Sequence, residues 1–170
     1  MSSTGVSSET SAQLPEPGTI DIKLEVVNVP VSDVDRAKRF YQKLGWRLDG
    51  DFAVGEDFRA VQLTPPNSPC SITFGKGVTT AAPGSVQDLM LIVKDIDAAR
   101  DDLINRGVDA SEVFHYETLP FHSAGTEVRV PGPDPQGRSY FTWASFKDPD
   151  GNGWPLQEIK TRLHGREWED

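Results

Sequence analysis

The chain has 170 residues, 36% of them hydrophobic and 25% charged, with a formal net charge of −9. This is the composition of a soluble globular domain. No apolar run approaches the roughly 20 residues of a membrane-spanning helix, and the excess of carboxylates argues against nucleic acid as a partner. Cys70 is the only cysteine, so no internal disulfide can form, which suits a reducing, cytoplasmic setting.

Residues 1–20 are rich in Ser, Thr, Gly and Pro and have neither the basic start nor the apolar centre of a signal peptide. They read as a disordered tail. "IDIKLEVVNV" then alternates loosely, as a strand does. The segment "VSDVDRAKRFYQKLG" follows from Val31 and places Val34, Ala37, Phe40, Tyr41 and Leu44 at helical spacing. Asp33 is suited to cap that helix at its N-terminus, and Gly45 to end it in a left-handed conformation. "WRLDGDF", "FRAVQLT" and "CSITF" read as three short strands separated by Gly and Pro. The linker "APGS" comes next, and then the order starts again.

"VQDLMLIV" reads as a strand, and "VKDIDAARDDLINRG" from Val93 reads as a helix. This helix agrees with the first at Asp33/Asp95, Asp35/Asp97, Ala37/Ala99 and Gly45/Gly107, all at one offset. "ASEVFHY", "SYFTWASF" and "WPLQEI" follow as strands, the last two joined by the turn "KDPDGNG". One βαβββ unit thus occurs twice, over residues 21–82 and 83–160. Neither unit can close a core alone. The fold class expected is α+β: a single domain over 21–160 with two tandem βαβββ units whose sheets curl into a shared cup, and a polar C-terminal tail over 161–170. A long segment rich in Pro and His, residues 117–138, interrupts the second unit, and loops of that length are commonly functional.

The opening "PVSDVDRAKRFYQKLGW", its repeat and the late "DPDGNGWPLQE" resemble the vicinal oxygen chelate superfamily over roughly residues 22–160. That superfamily includes glyoxalases, bleomycin-resistance proteins and ring-cleaving dioxygenases. The resemblance implies a cup whose metal, in members that have one, is held from the first and last strand of each unit. Those positions are Val26, Asp88, Pro155 and, in "CSITF", Thr73 or Ser71. Asp88 alone carries a good donor, so the family metal is expected to be absent and no cofactor is assigned.

Strand alternation places Val26, Asn28, Thr73, Met90, Pro155 and Gln157 along the cup as ligand-binding candidates, with Trp143 as a possible aromatic wall. Asp88, desolvated in such a cup, would serve as a general acid or base, with His122 and His115 as its partners. The leading expectation is a glyoxalase-like lyase or isomerase that moves a proton on a small molecule. The alternatives are a metal-free binder of the bleomycin-resistance type, to which an acidic surface would attract cationic ligands, and a metal enzyme with displaced ligands at Asp88, His115, His122 and Glu158. A homodimer is expected, and neither nucleic acid nor membrane is assigned as a partner.

Overall fold

The computed structural model describes residues 16, 18–118 and 120–163. Most of the expected N-terminal tail, and His164 and Trp168 in the C-terminal one, lie outside them. The elements are β1 (Val26–Asn28), α1 (Val34–Lys43), β2 (Arg47–Val54), β3 (Phe58–Thr64), β4 (Ser71–Lys76), β5 (Leu91–Val93), α2 (Ile96–Asn105), β6 (Phe114–His115), β7 (Val130–Pro131), β8 (Thr142–Lys147) and β9 (Gly153–Glu158). The first sheet has the order β1-β4-β3-β2 and the second β5-β9-β8-β6-β7. With β7 set aside, the two orders are the same, so the sequence repeat is a structural repeat. Two open sheets form a cup-like arrangement.

The helices begin and end where their chemistry dictates. Asp33 accepts from the Arg36 amide at 2.9 Å and Asp95 from the Ala98 amide at 3.0 Å. Gly45 and Gly107 follow the last turns at φ +82° and +73°. Two expectations fall short. The long first strands shrink to three residues each, and "ASEVFHY" to Phe114–His115 plus an isolated bridge from Ala110 to Phe146. In β5 the cause is visible at Asp88. Its φ of +65° takes the chain out of extended geometry, and the strand starts only at Leu91.

Each sheet turns one face to the helices, and these faces share a core. Val61, Leu63, Ile72 and Phe74 of the first unit and Ala144, Phe146, Trp154 and Leu156 of the second belong to one buried cluster with Tyr41 and Leu103. Trp154 is its hinge, set edge-on to Trp46 at 5.2 Å and stacked on Phe146 at 6.2 Å.

A buried polar bracket locks the units together. The Tyr41 hydroxyl of α1 donates to Asp148 Oδ2 at 2.8 Å and accepts from Trp154 Nε1 at 3.0 Å. Asn152 Nδ2 donates to the same Asp148 oxygen and, across the units, to the Pro30 carbonyl. The turn "KDPDGNG" is thus more than a hairpin connection, because its Asp and Asn tie two halves of the chain. The linker passes so close to it that a side chain at Gly84 (φ +76°) would lie 2.1 Å from the Asp150 carbonyl.

Candidate functional site

The opposite faces of the sheets carry Val26, Asn28, Thr73, Trp143, Pro155 and Gln157 of the expected site residues. In the first sheet, Val26 pairs with Ser71, Asn28 with Thr73 and Thr73 with Gln62. Alternation therefore sets Val26, Asn28, Thr73, Phe58, Phe52 and Val54 on one face. That face is open, with Phe52 68% and Val54 72% exposed. In the second sheet, Gln157 pairs with Ile92 and Trp143, and Trp143 with Phe114. These share a face with Pro155, away from the helices.

The second face is covered, and its own chain covers it. The segment after β6 folds back across the sheet. Gln157 Nε2 donates to the Pro120 carbonyl at 3.0 Å and to the Tyr140 carbonyl at 2.9 Å. The Tyr116 hydroxyl donates to the Ser123 carbonyl at 3.2 Å. His122 lies with its ring 5.9 Å from that of Trp143, and its Nε2 is 3.3 Å from Asp88 Oδ1. Trp143, Pro155 and Gln157 are buried as a result. Gln157 therefore anchors a loop with its amide donors, where it was expected to line an open cup.

Asp88 and His122 come together as a pair. Asp88, however, keeps 57% of its side-chain surface open, so the desolvated setting expected of a general acid or base is missing. Met90 beside it is exposed. His115 does not join them. It pairs with Thr142 on the other face of the sheet, is buried, and places Nδ1 2.8 Å from the Gly132 carbonyl. Asp134 lies near it, held by Arg138 through its main-chain N–H at 2.7 Å and its guanidinium at 2.6 Å. Arg138 holds the Asp134 carboxyl down at about 2.

A metal does not fit these residues. Val26 and Pro155 have no donor, and the Thr73 hydroxyl donates to the Val61 carbonyl. Glu158 is buried on the helix side, away from the face that carries Gln157. Its Oε2 accepts from the Ile96 amide at the start of α2, and its Oε1 pairs with Lys160. Among the described residues no three His, Cys, Asp or Glu converge.

The loop creates a space that no sequence motif announces. A cavity of about 370 Å³ lies against it, lined by Tyr116, Glu117, Phe121, Glu127, Val128 and Arg129, among others. The Arg129 guanidinium sits 4.1 Å over the Phe114 ring. Phe114 meets Tyr116 edge-on at 5.7 Å, and Tyr116 meets Trp143 at 5.8 Å. A continuous row thus runs from Arg129 through three aromatic rings to His122 and Asp88. The signal was present in "FHY" and "TWA", whose rings alternate onto one face, but only the pairing of β6 with β8 joins them.

Paired sheets of one repeated order, with a ring-lined face turned away from the helices, define a cup-type small-molecule fold. The chain belongs to the Glyoxalase/Bleomycin resistance protein/Dioxygenase superfamily, whose family model matches residues 23–156. Among solved structures it is similar to TnmS3, an antibiotic binding protein from Streptomyces sp. CB03234. That likeness is 28% in identity with a TM-score of 0.60, over 84% of this chain and 99% of that one. A glyoxalase/bleomycin resistance protein from the same organism is 29% identical, with a TM-score of 0.57 over 80% of this chain and 100% of that one. UcmS2 is 25% identical, with a TM-score of 0.55 over 82% and 99%. No curated protein sequence matches this chain. No helix among the described residues is long and apolar enough to cross a membrane.

Proposed function

We propose that this protein binds a flat, partly aromatic small molecule on the ring-lined face of its second sheet and holds it without converting it. The observation that carries this reading is the cavity formed with the protein's own loop, which has Tyr116 and Phe121 in its wall and lies beside the buried rings Phe114 and Trp143. Apolar rings with a few polar groups suit binding of a conjugated body. The similarity to an antibiotic binding protein supports the same reading. The protein acts in this view as a metal-free binding protein in the cytoplasm.

The open face of the first sheet belongs to the same proposal. Phe52, Val54, Phe58 and Val26 form an exposed apolar surface of the kind proteins cover. A second copy of the chain covers it, giving a homodimer. Sedimentation of the wild type as a dimer and of Phe52→Asp as a monomer tests this point, and a monomeric wild type at micromolar concentration refutes it.

A second reading, proton transfer by a glyoxalase-like lyase or isomerase, draws on one observation: the Asp88–His122 pair at 3.3 Å. One experiment separates the two. A thermal-shift screen of aromatic antibiotics and metabolites is followed by calorimetry and by mass spectrometry of each ligand after prolonged incubation. Ligands recovered unchanged support binding alone. A product whose formation stops in Asp88→Asn and His122→Ala overturns it in favour of catalysis.

A further inference from the structure

Few buried side-chain nitrogen or oxygen atoms of the described residues lack a hydrogen-bond partner, and two that do are Arg129 Nε and Trp143 Nε1. Both belong to the ring-lined face, at two points of one row. Both are donors. Buried tryptophan N–H groups normally find an acceptor, and the described chain offers neither atom one. Arg129 differs from several other arginines in a further way. Arg138 is paired with Asp134, Arg59 with Asp35 and Asp51, and Arg100 with Glu112. No ion pair among the described residues involves Arg129. Glu117 and Glu127 line the same cavity, but both are exposed and therefore solvated.

From this we infer that the ligand carries a carboxylate, which seats on the Arg129 guanidinium while the conjugated body lies in the cavity against Tyr116 and Phe121. The inference rests on the binding function proposed above and narrows it to one chemical class. It runs against the net charge of −9, which by itself favours a cationic ligand. Locally, a planar guanidinium with no carboxylate of its own is a better guide than total charge, because its forked donors match the two oxygens of a carboxylate. The Trp143 indole then donates to an oxygen on the ligand body as the 117–123 loop adjusts around it.

The test uses three probes of nearly equal shape: 2-naphthoate, its methyl ester and 2-naphthylmethylamine, each titrated calorimetrically into the full chain. The acid is expected to bind about tenfold or more tightly than the ester, the measure of one charge-assisted hydrogen bond, and more tightly than the amine. Arg129→Gln is expected to abolish the difference between acid and ester, and Arg129→Lys to keep part of it. If Arg129→Gln fails to fold, the wild-type ratio and the lysine variant decide. Equal binding of acid and ester, tightest binding of the amine, or an acid preference that survives Arg129→Gln overturns the inference and leaves the proposed binding function standing. Failure of all three probes while the screen yields a ligand with no anionic group has the same meaning. If neither the probes nor the screen gives a ligand, the binding function falls as well.

Discussion

Tyr41→Phe removes one oxygen atom from the fully buried centre of the protein and leaves the ring in place. The hydroxyl has two partners, Asp148 Oδ2 at 2.8 Å and Trp154 Nε1 at 3.0 Å. Burial, followed by the Asp148 charge, pushes the phenol far above its ordinary range, so it remains a donor at any practical pH. Asp148 keeps the Asn152 amide at 2.7 Å, which softens that loss, whereas Trp154 Nε1 is left buried without an acceptor. A lost charge-assisted bond and an orphaned donor together cost about 3 kcal/mol, allowing for partial compensation. For a chain of this size that corresponds to a fall in Tm of about 6–12 °C. Urea denaturation followed by tryptophan fluorescence and by far-ultraviolet circular dichroism measures it. Both signals should shift together, because the bracket ties the two units into one cooperative core. A loss below about 1 kcal/mol, of the size of an ordinary exposed hydrogen bond, would refute the reasoning. So would two separate transitions.

Gln157→Ala frees the Pro120 and Tyr140 carbonyls, and limited proteolysis within residues 117–130 should quicken by about tenfold, the measure of about 1.4 kcal/mol of lost local stability. Unchanged cleavage would mean the loop is held by something else. Gly84→Ala combines a positive φ with a 2.1 Å clash against the Asp150 carbonyl and should lower stability by about 2–4 kcal/mol, read as midpoint in urea. Asp134 has a folded value of about 2 against an ordinary 3.8, so its ion pair with Arg138 contributes stability above pH 3.8 that is lost as pH falls through about 2. The stability gap between wild type and Asp134→Asn should therefore be widest at neutral pH and close over that acid window. A gap that is the same at pH 2 and pH 7 contradicts the assignment.

The helices and the repeat were legible because their signals are local. A capping Asp, a helical stripe and a terminal Gly all lie within 13 residues of one another, and the duplication repeats them at one offset. The middle strands were legible for the same reason, and β3 has the bounds its alternation predicts. The first strands were not, because their pairing is with β4 and β9, distant in sequence, and because Asp88 adopts a left-handed backbone that no motif announces. Asp88 and His122 were both chosen as site residues and do meet, although His122 reaches Asp88 only through a loop fold the sequence leaves open. His115 was separated from them by a single residue of register, since Phe114 takes the ring-lined face and the next residue must take the other. Arg129, the proposed carboxylate seat, went unnoticed because its significance lies in its side chain lacking a hydrogen-bond or ion-pair partner among the described residues, which only a full set of contacts reveals.

The binding function requires that a ligand occupy the cavity formed with the 117–130 loop, against Tyr116. The most direct measurement is a ¹⁵N–¹H spectrum of the indole N–H groups during titration with a ligand from the screen, assigned with Trp143→Phe. The Trp143 signal should move strongly while those of Trp46 and Trp154 hold still, and the ligand should be recovered unchanged. A stationary Trp143 signal at saturation, or a ligand consumed in the tube, would contradict it.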